Sequence, residues 1–274
     1  MTRKNGKKHN RFMMMLPNLL TLANALAGFT ALLIFFFAAW RGEILSGLVL
    51  SGWFVLFAVV FDGLDGFTAR KLDAASSTGL QLDSLADVIT FGLTPAVILG
   101  FVGLASGFPG LRVLLPISAG FYLCCAVWRL AVYNVMALEG GSSSSFRGLP
   151  VPGAAAGIVS TLVLAGRQGM SPLLLGFMAL YALAAGALMI SRLSYLHMWK
   201  WFVSERRGLR YLITAVFFFS LAIILGPMSA VVVFSFLYLL SGPLGPVLEK
   251  ISRLAAARRG RPEIPEEEIE VDHV

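Results

Sequence analysis

The chain has 274 residues, of which 57% are hydrophobic and only 14% charged, with a net charge of +7 and a mean hydropathy of +0.80. Soluble domains carry about 45–50% apolar and about 25% charged residues, so soluble enzymes, disordered chains and disulfide-stapled secreted domains are excluded. What remains is an all-α, polytopic membrane protein.

A membrane helix needs roughly 20 apolar residues to cross about 30 Å of hydrocarbon. Eight stretches are candidates in chain order, at about 17–40, 46–66, 80–103, 112–136, 151–166, 172–191, 210–226 and 229–242, the fifth and eighth being short. The basic arm at 1–16 precedes the first of them, which runs unbroken to Trp40 and is too long for the core of a cleaved signal peptide. Cys124 and Cys125 adjoin inside the fourth stretch and read as small packing residues. Gly153 and Gly157 form a small-xxx-small pair suited to close helix contact. The segment 192–209 contains Tyr195, His197, Trp199 and Trp201 among basic residues, the composition of a headgroup-level belt. Beyond two further helices at 210–242, the tail 243–274 is polar and ends acidic.

Of the 22 Lys and Arg residues, only Arg41, Arg112 and Arg167 fall on one side of these spans. Cytoplasmic loops collect Lys and Arg, so both termini are expected in the cytoplasm, with the chain integral to the inner membrane. The basic surface suits anionic lipid headgroups, and no nucleic-acid partner is expected.

The acidic residues localise the chemistry. Five of the six aspartates lie between 62 and 87, and no other predicted span holds a carboxylate. Asp62, Asp65, Gly66, Ala69 and Arg70 stand at i, i+3, i+4, i+7 and i+8, on one helical face. Gly79, Asp83 and Asp87 stand at i, i+4 and i+8 on the next helix. Carboxylates near the bilayer cost at least about 2.5–3.5 kcal/mol each and repel one another, so cations are needed where four converge. Oxygen ligands without His or Cys point to Mg²⁺ or Mn²⁺, and two such ions make a clamp for displacement at phosphorus. The glycines leave room for a ligand, and Arg70 offers a cationic fork to phosphate. Arg129, deep in an apolar stretch, requires an anion: an aspartate, a donor phosphate or an acceptor carboxylate.

The pattern Asp62-x₂-Asp65-Gly66-x₂-Ala69-Arg70-x₈-Gly79-x₃-Asp83-x₃-Asp87 resembles, without departure, the signature of the CDP-alcohol phosphotransferases. The segment Pro17-Asn18-x₂-Thr21-x₂-Asn24-x₃-Gly28 is similar to their first helix. This resemblance implies a six-helix catalytic core, here at 17–191, usually homodimeric and open to the cytoplasmic face. It implies metal ligation by Asp62, Asp65, Asp83 and Asp87, with Asp87 also the general base. It further implies CDP binding by Asn18, Thr21, Gly66, Ala69, Arg70, Ser76 and Gly79.

The segments Phe146-Arg147-Gly148-Leu149-Pro150-x-Pro152 and Leu188-Met189-Ile190-Ser191-Arg192 resemble the phosphatidylserine synthases within that family, as do the two helices beyond the core. Arg129-Leu130-Ala131-Val132-Tyr133-Asn134 is similar to a third such segment, with Val132 where an arginine is usual. The resemblance implies CDP-diacylglycerol and L-serine as substrates, phosphatidylserine and CMP as products, and Arg129 and Arg147 as acceptor-binding residues. Glycerol 3-phosphate, inositol phosphate or choline as acceptor stays open. So, more remotely, do a cation-coupled transporter and a non-catalytic scaffold.

Overall fold

The computed structural model describes residues 11–71, 77–138, 148–193, 195 and 226–258, and among these there are helices and no strands. The expected span at 210–226 lies outside the described residues but for Gly226, as do most of the interfacial segment and the arm before Arg11. Helix α1 runs Arg11–Trp40, α2 Ile44–Lys71, α3 Ser77–Asp87 and α4 Thr94–Ala105. Then follow α5 at Pro109–Leu138, α6 at Val151–Gln168, α7 at Pro172–Ile190 and α8 at Pro227–Arg258. A π-helical turn at Val88–Leu93 joins α3 to α4. Pro17–Trp40, Ile44–Gly63, Ser77–Ala105, Pro109–Leu138 and Pro172–Ile190 are long and apolar enough to cross a membrane, and Ser229–Leu244 is a shorter apolar helix. The chain is therefore an all-helical polytopic membrane protein. Its helices overrun the expected spans by several residues, most of all α8, which continues past 242 to Arg258.

Each helix divides into a lipid-facing and a packed side. In α1, Pro17, Thr21, Asn24, Gly28, Ala31 and Phe35 are buried at alternating steps of four and three. Leu19, Leu22, Leu26, Phe29 and Leu33 are exposed between them, an apolar stripe suited to hydrocarbon. In α5 the inward stripe runs through Leu115, Ser118, Tyr122, Cys125 and Arg129. Helix α6, rich in Ala and Gly, is buried along most of its length and packs against α2, α7 and α8. The central helix is thus the one with the smallest side chains, which lets its neighbours draw close.

Two sequence readings are refined here. Cys125 is buried near Gly186, while Cys124 is exposed, and both are free. Gly153 and Gly157 receive aromatic side chains from two different helices rather than the backbone of one partner. Gly153 lies under the ring of Tyr238 on α8, and Gly157 under the hydroxyl of Tyr181 on α7.

The α3–α4 rod changes register at the π turn for a local reason. Pro95 has no N–H, so the Phe91 carbonyl four residues earlier loses its helical donor. Tyr122 of α5, fully buried, donates its hydroxyl to that carbonyl at 2.7 Å. At the next turn the Thr94 N–H reaches Ile89 O across five residues, and the Thr94 hydroxyl contacts the same oxygen at 2.8 Å. The turn begins one residue after Asp87. Widened turns of this kind are frequent at functional sites.

A candidate metal-binding active site at one end of the bundle

Asp62 is near the end of α2, whereas Asp83 and Asp87 stand one turn apart on α3. One carboxylate oxygen from each lies within 4.8 Å of the others, with Asp62 and Asp83 partly exposed and Asp87 buried. The sequence expected four converging carboxylates, and three of them are seen together. Asp65 follows on the α2 backbone, but its side chain, with those of Gly66, Ala69 and Arg70, lies outside the described residues. So do Ser76 and Arg147. Gly79 sits one turn before Asp83 on α3 and is partly buried. Helix α2 ends at Lys71 and α3 begins at Ser77, so a short connection joins them.

Asp87 is held from α1. Asn24, fully buried, donates from Nδ2 to Asp87 Oδ1 at 3.3 Å. The Thr90 hydroxyl donates to the Asn24 carbonyl at 2.9 Å, and the Thr94 hydroxyl lies 3.2 Å from the Gly28 carbonyl. This seam is tight because Gly28 has no side chain: a Cβ there would stand 2.7 Å from the Thr90 Cα. Asn18 and Thr21 occupy the preceding turns of α1, the former half-buried and the latter buried with its hydroxyl donating to Pro17 O at 3.0 Å.

Helix α5 closes another side. Ser84, between Asp83 and Asp87, donates to Asn134 Oδ1 at 2.7 Å. Counted from that bond at about 1.5 Å per residue, Asp87 lies about 4.5 Å along α3 and Arg129 about 7.5 Å back along α5. Arg129 is buried, and the Asp87 carboxylate attracts its guanidinium. Of the anions expected for Arg129, an aspartate is thus one that the fold brings towards it.

The donor set suits a hard divalent cation. Three carboxylates so close repel one another unless positive charge offsets them, and no His or Cys belongs to the group. Beside them the Asn24 Oδ1 is buried and receives no hydrogen bond among the described residues. A buried carbonyl oxygen of that kind calls for a cation or an ordered water.

Asn24, Thr90, Tyr122 and Ser84 were not assigned roles from the sequence. Asn24 appeared there only within the first-helix resemblance. Its inward spacing with Thr21 and Gly28 is the signal that marks it.

The sequence profile of the CDP-alcohol phosphatidyltransferase family matches residues 14–191, which hold the whole cluster and helices α2 to α7. The chain is 32% identical over 232 residues to a protein of Helicobacter pylori named CDP-diacylglycerol–serine O-phosphatidyltransferase, covering 82% of this chain and 88% of that one. It is 36% identical over 154 residues to a Mycobacterium tuberculosis protein of the same name, covering 54% and 49%. To the archaetidylserine synthase of Methanothermobacter thermautotrophicus it is 32% identical over 193 residues, covering 70% and 73%. Signature spacing, converging carboxylates and a profile match along most of the chain lead to one conclusion: this chain belongs to the CDP-alcohol phosphatidyltransferase family.

Proposed function

We propose that the chain is a CDP-diacylglycerol–serine O-phosphatidyltransferase, making phosphatidylserine and CMP from CDP-diacylglycerol and L-serine. The observation that carries this reading is the Asp62, Asp83 and Asp87 cluster, braced by Asn24 and set near Arg129, in a chain similar over 82% of its length to a relative of that name.

Asp62, Asp65, Asp83 and Asp87 would hold two divalent cations, Mg²⁺ or Mn²⁺. When bound, these supply charge neutralisation at the donor diphosphate. Gly66, Ala69 and Gly79 leave space for the CDP moiety, while Asn18, Thr21, Arg70 and Ser76 offer it polar contacts. Asp87 accepts the proton of the serine hydroxyl. The serine Oγ then forms a bond to the phosphorus bearing the lipid, and the bond from that phosphorus to the bridging oxygen breaks, with CMP leaving with the electron pair. Arg129, together with Arg147, takes the serine carboxylate. Burial of Asp87 on α3 and its bond from Asn24 fix the direction of the basic oxygen before substrate arrives.

The apolar outer stripe of α1 suits direct entry of the donor's acyl chains from the bilayer. The distribution of Lys and Arg supports a cytoplasmic site in the inner membrane. The active form is a homodimer.

The test is CMP release from CDP-diacylglycerol by the purified chain in detergent, with Mn²⁺ or Mg²⁺ and one acceptor at a time. Release should require both the cation and L-serine, stop on chelation, and fall by at least about 10²-fold in Asp87→Asn. Release with glycerol 3-phosphate or another alcohol in place of serine would keep the chemistry and remove the acceptor. No release from folded, cation-supplied protein with any acceptor would overturn the enzyme reading.

A further inference from the structure

The side-chain amide of Asn24 is only half used by its protein neighbours. Its Nδ2 donates to Asp87 Oδ1 at 3.3 Å, while its Oδ1 is buried and receives no hydrogen bond among the described residues. The two atoms are not interchangeable, because an ionised carboxylate only accepts and has to face the N–H side of the amide. Asn24 is fully buried, and its stretch of α1 is pinned against the π turn. Thr90 donates to the Asn24 carbonyl at 2.9 Å, and a Cβ at Gly28 would meet the Thr90 Cα at 2.7 Å. The amide is thus held inside the bundle and not offered to solvent. With amide bonds of about 1.2 and 1.3 Å, its Oδ1 lies within about 5.5 Å of Asp87 Oδ1. Asp87 in turn brings a carboxylate oxygen within 4.8 Å of those of Asp62 and Asp83. Oxygens that share one hard divalent ion are themselves up to about 4–5 Å apart.

A buried oxygen without a hydrogen bond is satisfied by a donor or by a cation. Charge and coordination favour the cation. Carboxylates supply the negative charge, but they fill only part of the shell of about six or more oxygens that a hard divalent ion takes. The four aspartates of the signature already balance two such ions, so a further protein ligand has to be neutral. An amide oxygen is neutral and belongs to the class of ligand that these ions accept. Because it is already dry, no water has to be stripped from it on binding.

We propose that Asn24 is itself a ligand of the metal centre, giving its Oδ1 to a divalent cation held with Asp87, while its Nδ2 fixes the Asp87 carboxylate. The centre is then built from α1, α2 and α3, and not from the two aspartate-bearing helices alone. This inference rests on the metal-centre part of the reading above and is independent of the acceptor.

The experiment binds Mn²⁺ to the full chain in detergent without substrates, followed by the electron paramagnetic resonance signal of the free ion, for wild type, Asn24→Ala and Asn24→Asp. Asn24→Ala is expected to weaken Mn²⁺ binding at least about tenfold, the loss typical even of residues that only orient a ligand. Saturating cation hides this loss from kcat. Asn24→Asp keeps an oxygen at the position but loses the donor to Asp87, and should bind Mn²⁺ at least as tightly as wild type. Wild type made by cell-free synthesis with asparagine carrying carbon-13 at Cγ should show coupling of that carbon to bound Mn²⁺ in electron-nuclear double resonance. Asn24→Asp made in the same way should show none. Unchanged affinity in Asn24→Ala overturns the proposal, and is the result expected if a water molecule meets the oxygen instead. Weakened binding in both variants, or bound Mn²⁺ without coupling in labelled wild type, also overturns it, since Asn24 would then act only by bracing Asp87. Wild type that binds no Mn²⁺ would remove the metal centre and this inference together, whereas any of the other adverse results removes the inference alone.

Discussion

Asn24 turns three of its polar groups to the site. Its side-chain amide donates to Asp87, its backbone carbonyl accepts from Thr90, and its Oδ1 is buried beside the carboxylates. A hydrogen bond to a charged group contributes about 1.5–3 kcal/mol, and its loss leaves Asp87 free to turn within the cluster. Asn24→Ala should therefore lower kcat by about 10–100-fold, with the KM for CDP-diacylglycerol changing little. In the Asp87→Asn background the same substitution should cost nothing further, because both changes remove one interaction. Kinetics of the two single variants and the double variant read this directly. Additive losses would mean that Asn24 contributes by another route. The residue belongs to a part of the site that the sequence made only half visible. The aspartates announced themselves, because carboxylates in an apolar chain are costly and these five were grouped. An asparagine on an apolar helix carries no such cost signal, and its meaning emerged only when α1 was seen against α3.

At the level of elements, the α3–α4 rod shows how a helix can be interrupted without being broken. Pro95 removes a donor, the π turn absorbs the change in register, and Tyr122 of α5 satisfies the stranded Phe91 carbonyl at 2.7 Å. Tyr122→Phe should destabilise the chain by about 1–3 kcal/mol, the cost of a buried carbonyl left without a partner. Adding Pro95→Ala should return part of that loss, since an N–H is restored at position 95. Thermal unfolding in detergent compares the variants, and a double variant no more stable than Tyr122→Phe would show that the tyrosine acts by packing alone. None of this was legible beforehand. Helical periodicity places Pro95 inside an apolar span, but the compensating hydroxyl is on a different helix. The end of α8 was misplaced for the opposite reason: Glu249, Lys250 and Arg253 look like a solvated tail, yet the helix carries on through them to Arg258. A helix that leaves the apolar layer keeps its backbone bonds while changing its surface.

For the whole molecule, the decisive pattern is the separation of polar groups between the two ends of the bundle. The carboxylate cluster, Ser191 and Tyr195 sit towards one end, where the loops collect Lys and Arg. Towards the other, the connections contain Arg41 paired with Glu43 at 3.5 Å, and Arg112 donating to the Ser106 carbonyl at 2.8 Å. Two of the three arginines at that end are thus occupied locally, and the far more numerous basic residues of the site end dominate the orientation. Orientation in turn decides which pool of acceptor the site can meet, so it links the charge pattern to function. It can be tested without any assay of catalysis. In a Cys124→Ala, Cys125→Ala background, single cysteines at the exposed positions Gly107 and Arg192 report the two ends. In intact cells a membrane-impermeant maleimide should label Gly107→Cys and spare Arg192→Cys, whereas after permeabilisation both should react. The reverse pattern would place the carboxylates on the outer face, away from cytoplasmic serine, and the proposed reaction would lose its substrate.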